Sequence, residues 1–119
     1  SNLIYLFSFL SLSLDGQAQV LVEQSQVSVT KGPTTTASMD CKVQGISDPQ
    51  YAYIHWYRQL PSKAPERILY IKSGSVSYDD NSYRNKYSAL NRGIDSSTFK
   101  INNLNSNDEG TYYCAYWEY

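Results

Sequence analysis

Two cysteines stand far apart in this chain, Cys41 and Cys114, with Trp56 between them and Tyr112 two places before the second. A chain of 119 residues has room for one domain. Its apolar residues fall in short alternating runs broken by turn residues, which predicts an all-β fold. A core between two small sheets is thin, so one indole fills a large share of it. Two cysteines are compatible with a single disulfide, and with an oxidising compartment if it forms. They do not cluster, and His55 is the one histidine, so a metal site is a poor reading.

The runs can be placed by period. Val20 and Val22 alternate, as do Val27 and Val29, and Gln24-Ser25-Gln26 interrupts them, which suits a first strand that switches sheets. After a turn at Lys31-Gly32-Pro33, Ala37, Met39, Cys41 and Val43 face one way and Ser38, Asp40 and Lys42 the other. A strand follows over 51–59, with Ile54 and Trp56 inward and Tyr53, His55, Tyr57 and Gln59 outward. Two prolines turn the chain at 60–65 before a strand over 67–71. The stretch 72–81 reads as a loop with a short edge strand near 76–78, and 83–90 holds the next strand. Phe99 and Ile101 alternate inward. The last strand, 111–117, puts Tyr112 and Cys114 inward and Tyr113, Ala115 and Trp117 outward. Asp108 can pair with a cation at the base of the sandwich, and Arg58 and Lys86 are the candidates.

Residues 3–14 (LIYLFSFLSLSL) are almost wholly apolar or small and too few to span a bilayer comfortably. Gly16 and Ala18 then supply small residues at the −3 and −1 positions of a cleavage site. Residues 1–18 therefore read as a secretory signal without its initiator Met, cut after Ala18, leaving a domain over 19–119.

Catalysis finds little support. No nucleophile accompanies His55, which reads as an interface or loop-supporting residue rather than a base. Asp79-Asp80 and Asp108-Glu109 sit in polar turns, and a calcium site at Asp79-Asp80 has too few oxygen ligands. No phosphate-cradling glycine loop or Asn-x-Ser/Thr acceptor occurs. A net charge of −1 without a basic run gives no sign of nucleic acid as a partner. Tyrosine is over-used, with 12 in the chain, and offers large contact area at low entropy cost. No cofactor is implied.

Asp108-Glu109-Gly110-Thr111-Tyr112-Tyr113-Cys114, joined to Cys41 and Trp56, resembles the hallmark of variable-type immunoglobulin domains. Tyr53-Ile54-His55-Trp56-Tyr57-Arg58-Gln59, Lys63-Ala64-Pro65-Glu66-Arg67, Lys86-Tyr87 and the ending Cys114-Ala115-Tyr116-Trp117-Glu118 make residues 20–119 most similar to a T-cell receptor gamma chain variable region. The resemblance implies a V-type immunoglobulin β-sandwich with Greek-key topology, a variable segment without joining or constant region. That segment lacks the family's final strand G, so the edge of the 111–117 strand is open. It also implies a Cys41–Cys114 disulfide with Trp56 packed on it, worth about 4 kcal/mol by the loop-entropy model, and a Tyr112 hydroxyl bonded back to the chain.

What the resemblance implies for function is binding. Its partner-chain face maps to Tyr57, Gln59, Pro65, Arg67 and Tyr113, and parity alone already sets Tyr57, Gln59 and Tyr113 on one outer face. Its recognition loops map to 45–52, 72–77 and the segment opening at Ala115. There Asp48, Gln50, Tyr51, Lys72, Ser73, Ser75, Tyr116, Trp117 and Tyr119 are the contacts expected, although parity points Tyr116 inward. The implied partners are a T-cell receptor delta chain, an unknown antigen, and signalling chains reached through other regions. The implied location is the outer side of the plasma membrane. The alternatives are a V-type adhesion or innate co-receptor domain, or the variable domain of another antigen-receptor chain.

Overall fold

The computed structural model describes residues 4–6, 9–13, 19–25, 27–46, 52–93 and 95–118. Eleven strands appear among them: β1 (Ile4–Leu6), β2 (Phe9–Ser13), β3 (Gln19–Gln24), β4 (Ser28–Lys31), β5 (Thr35–Gln44), β6 (Ala52–Gln59), β7 (Glu66–Lys72), β8 (Ser75–Tyr78), β9 (Tyr87–Asn91), β10 (Ser96–Ile101) and β11 (Gly110–Glu118). They form two sheets. One runs β1-β11-β6-β7-β8, and the other β2-β3-β5-β10-β9 with β4 also on β5. The chain crosses between sheets from β5 to β6, from β8 to β9 and from β10 to β11, as a Greek key does. No helix among the described residues is long and apolar enough to cross a membrane.

The core is built from the inward parity of these strands. Ala37, Met39, Cys41 and Val43 of β5, Ile54 and Trp56 of β6, Phe99 and Ile101 of β10, and Tyr112 and Cys114 of β11 are all buried. Cys41 and Cys114 form the disulfide, with Cα atoms 6.3 Å apart. Trp56 lies directly opposite Cys114 in register. Its ring stacks on Phe99 at 4.9 Å, and its Nε1–H donates to the Ser97 hydroxyl at 3.2 Å. The indole is thus buried with its one polar atom satisfied.

The base of the sandwich is fixed by polar contacts. The Tyr112 hydroxyl donates to the Asp108 carbonyl at 2.8 Å, closing the corner into β11. The Asp108 carboxylate takes Lys86 Nζ at 2.7 Å and the Asn105 backbone N–H at 2.9 Å. Of the two cations expected there, Lys86 makes the pair and Arg58 does not. Arg58 sits at the far end of β6, where it binds Glu66, donates to the Tyr87 hydroxyl at 2.6 Å and lies over the Tyr83 ring. Register explains the difference, because Arg58 faces Glu66 directly across β6 and β7. Gly110 opens β11 where a Cβ would come within 2.7 Å of the Gln59 carbonyl oxygen, so no larger residue fits without a shift.

Three strand boundaries differ from the sequence reading. β3 and β4 both pair with β5, so the chain does not change sheets across 24–26. Ser25 holds it in place: its N–H donates to the Asp40 carbonyl at 3.0 Å, and its hydroxyl accepts from the Asp40 N–H at 2.9 Å. The strand expected over 83–90 starts at Tyr87, because Asp80 caps a 3-10 turn over Asn81–Asn85 through the Ser82 N–H. The loop expected over 72–77 is a two-residue hairpin. β7 runs to Lys72 and β8 begins at Ser75, with Ser73 and Gly74 turning at positive φ.

Gln24 is a tie that period alone does not reveal. Its side-chain amide donates to the Tyr112 carbonyl at 3.3 Å, and its side-chain oxygen accepts from the Cys114 N–H at 3.0 Å. One side chain on β3 therefore spans to the other sheet and satisfies two backbone groups of β11. Gln24→Ala would leave the Cys114 N–H unpaired. It is expected to cost about 1–3 kcal/mol, read as a lower urea midpoint with the disulfide intact. Lys86→Met strands the Asp108 carboxylate and is expected to cost about as much in the same measurement.

Candidate partner-binding face

The outward side chains of β6, β7 and β11 share one sheet face. Tyr57 and Tyr113 are opposite each other in register, and their rings stack at 5.2 Å, 8° from parallel. Ala115 lies opposite His55 and Trp117 opposite Tyr53. With so small a residue across from it, His55 leaves room for Trp117 to lean over its ring, which it meets edge-on at 4.2 Å. Trp117 also approaches Tyr57 at 6.4 Å. Across β7, His55 meets Tyr70 at 5.7 Å, and Tyr70 meets Tyr53 at 5.4 Å. Tyr113, Tyr57, Trp117, His55, Tyr70 and Tyr53 thus form one continuous aromatic band.

A bulge aims Arg67 and Tyr70 at this band. The register of β6 on β7 shifts between Trp56 and Tyr57: Trp56 faces Leu69 and Tyr57 faces Arg67, with Ile68 as the extra residue. Ile68 and Leu69 are both buried inward, so Arg67 and Tyr70, three apart, emerge on the same outer face. Strict alternation would have opposed them. Arg67 Nε lies 3.0 Å from both oxygens of Asp79, and its guanidinium carbon is 5.1 Å from the Tyr70 ring centre. Nearby, Lys72 Nζ donates to the Tyr53 hydroxyl at 3.2 Å. Asp79 and Asp80, weighed as calcium ligands, instead bind Arg67 and cap the 3-10 turn, and no cluster of three or more metal-ligating side chains occurs among the described residues.

His55 lies on the outer face where parity places it, but it is covered there. It faces outward yet is only 2% exposed, roofed by Trp117 and Tyr70. Arg67 Nη1 lies 3.2 Å from Nδ1, and a guanidinium can only donate, so Nδ1 accepts and Nε2 carries the proton. That Nε2 has no hydrogen-bond partner among the described residues. Burial first, and then the Arg67 charge, push the imidazole pKa down from 6.5 to about 4, with Asp79 opposing. Tyr53, His55, Arg67 and Tyr70 together bound an open recess of about 280 Å³.

The other residues singled out from the sequence are placed less uniformly. Gln59 and Pro65 are exposed, and the Gln59 amide turns back to the Lys63 carbonyl at 3.2 Å rather than across the band. Lys72 belongs to a strand end, and Ser73 and Ser75 to the hairpin. Tyr116 is 4% exposed and packs in the core, which makes it a framework residue, whereas Trp117 is 41% exposed on the band. Asp48, Gln50, Tyr51 and Tyr119 lie outside the described residues, as does the proposed cleavage site at 15–18. Ala52 faces Glu118 and Ile54 faces Ile71, so the start of β6, the β7–β8 hairpin and the end of β11 share one end of the sandwich. Tyr70 was the member of the band that the sequence did not single out, whereas parity had already set Tyr53 and His55 on the outer face. The aromatic alternation in Tyr53-Ile54-His55-Trp56-Tyr57 was the available signal.

Two packed sheets, a disulfide across them and a buried tryptophan define a variable-type immunoglobulin domain, and residues 24–119 match the family model of the immunoglobulin V-set domain. A mouse protein, "T-cell receptor gamma chain V region V108B", is 36% identical over 81% of this chain and 83% of its own length. A human protein, "T cell receptor gamma variable 4", is 31% identical over 98% of this chain and 96% of its own. The chain belongs to the V-set family and, within it, to the T-cell receptor gamma variable regions. As an antigen-receptor variable domain it is not an enzyme.

The lowered His55 pKa gives a pH dependence with a definite sign. The unfolded chain protonates His55 near pH 6.5 and the folded domain only near 4, so between those values the unfolded state binds more protons. Stability from this group falls as pH drops through that window, by up to about 1.4 kcal/mol per pH unit. Urea midpoints measured from neutral pH downward are expected to decline for the wild type. His55→Phe, which keeps a ring under Trp117, should remove this share of the decline.

Proposed function

We propose that this domain is the antigen-recognition half of a gamma–delta receptor, pairing with a delta chain through the outer face of β6, β7 and β11. The observation that carries the reading is the aromatic band, with Tyr57 stacked on Tyr113 and Trp117 half-open beside them. Rigid aromatic area on one sheet face is what a protein partner buries with little entropy loss. Ligand is bound by the loops at the end of the sandwich where β6 begins and β11 finishes, and the domain performs no chemistry there. The domain stands on the outer side of the plasma membrane, with anchor and signalling contacts supplied by regions outside residues 1–119.

Residues 1–18 are a secretory leader, removed after Ala18. Its apolar composition supports this, and removal takes β1 and β2 away. The outer edge of β11 at Gly110–Tyr112, which β1 covers in parallel, is then free for another strand.

Two experiments test these statements. Gln59→Asp combined with Tyr113→Asp is expected to abolish co-purification with a delta chain while the melting temperature of the domain stays within a few degrees. Undiminished co-purification contradicts the pairing face. Intact mass of the mature chain should correspond to a start at Gln19, and a surface form that keeps Ile4–Ser13 would refute the leader.

A further inference from the structure

We infer that Gln19, as the first residue of the mature chain, is a modification site: its α-amino group closes on its own side-chain amide, so the domain begins with a neutral pyroglutamate ring at the recognition end of the sandwich. The inference rests on the removal of the leader after Ala18 proposed above and names the chemistry that this cut permits. Three observations lead to it.

The first is chemical. A cut after Ala18 leaves a glutamine at the terminus. In an N-terminal glutamine the α-amino nitrogen and the side-chain Cδ are tethered through Cα, Cβ and Cγ, so ring closure is intramolecular and no second reactant has to be brought in. The uncharged amine attacks Cδ and a bond forms between them. The bond from Cδ to the amide nitrogen breaks, and that nitrogen leaves as ammonia with the proton that the amine gives up. Nothing is oxidised or reduced.

The second is register. β3 lies against β5 only from Leu21 onward, with Leu21 opposite Gln44. Gln19 and Val20 pair with β2, opposite Ser13 and Leu12. Removal of the leader takes β2 away, so among the described residues no ladder then holds the first two residues, and the chain end is free to rotate into the ring-closing conformation. The third is place. β3 runs antiparallel to β5, and Gln44 is the last residue of β5. Gln19 therefore extends past the point where the chain leaves β5 for the loop that leads into β6, at the end of the sandwich that also holds the β7–β8 hairpin and the finish of β11. Closure turns an ammonium into a lactam and removes one positive charge from the end proposed to meet ligand.

The test uses the full gamma chain carrying this domain, recovered from the surface of cells that assemble it into a receptor. Lys31 is the first lysine or arginine after Gln19, so trypsin releases a peptide spanning 19–31. That peptide is expected to be lighter than its sequence mass by one ammonia. Edman sequencing of the intact chain should be silent until pyroglutamyl aminopeptidase removes the ring, and should then start at Val20. Gln19→Ser keeps a free amine that cannot cyclise, and in isoelectric focusing it should run one positive charge more basic than the wild type at an unchanged melting temperature. A 19–31 peptide of full mass, with Edman sequencing that starts at Gln19, overturns the inference and leaves the leader proposal standing. So does focusing of Gln19→Ser together with the wild type. A mature chain that starts at any other residue overturns the leader proposal itself, and the ring with it.

Discussion

The covalent tie between Cys41 and Cys114 sets the facing of the central strands. Because Trp56 is opposite Cys114 in register, one buried cluster holds β5 from one sheet and β6 and β11 from the other. A strand has period two, so once Trp56 and Cys114 point inward, Tyr57 and Tyr113 must point out. The stacked pair Tyr57 and Tyr113 is thus a direct consequence of the core. A one-residue slip of β11 on β6 would bury Tyr113 and expose Cys114, breaking the disulfide geometry and the band together.

Around that tie, polar groups are satisfied by reaching across elements. Ser97 takes the indole N–H of Trp56, Asp108 gathers Lys86, the Asn105 N–H and, through its carbonyl, the Tyr112 hydroxyl, and Gln24 bridges to β11. Against this background the Nε2 of His55, without a partner among the described residues, stands out, since native cores rarely leave a buried donor without an acceptor.

Much of this was legible from residue order. The inward sets of β5, β6 and β11, the tyrosine corner, and the outward Tyr57 and Tyr113 follow from alternation and from the resemblance that Cys41, Trp56 and Tyr112-x-Cys114 carry. Arg58 was misassigned because strand parity says nothing of which residue lies across the next strand, and Glu66 was there. Lys72 was read as loop because Ser73-Gly74 is a turn signal, and a two-residue hairpin looks like the start of a longer loop. Ser25 looked like a break, yet its side chain and backbone both bind Asp40 and keep β3 and β4 on the same neighbour.

By itself, then, the sequence determined which side of β5, β6 and β11 is buried, because alternation is a local property of an extended backbone. It determined the pinned core for the same reason, since every member of it sits on an inward position. Only the tertiary structure decided what the outer face can do. The bulge at Trp56–Tyr57 turns Arg67 and Tyr70 to the same side, and the small Ala115 lets Trp117 roof His55. Those are matters of register between strands far apart in the chain, where a shift of one residue reverses a side chain and no local pattern records it.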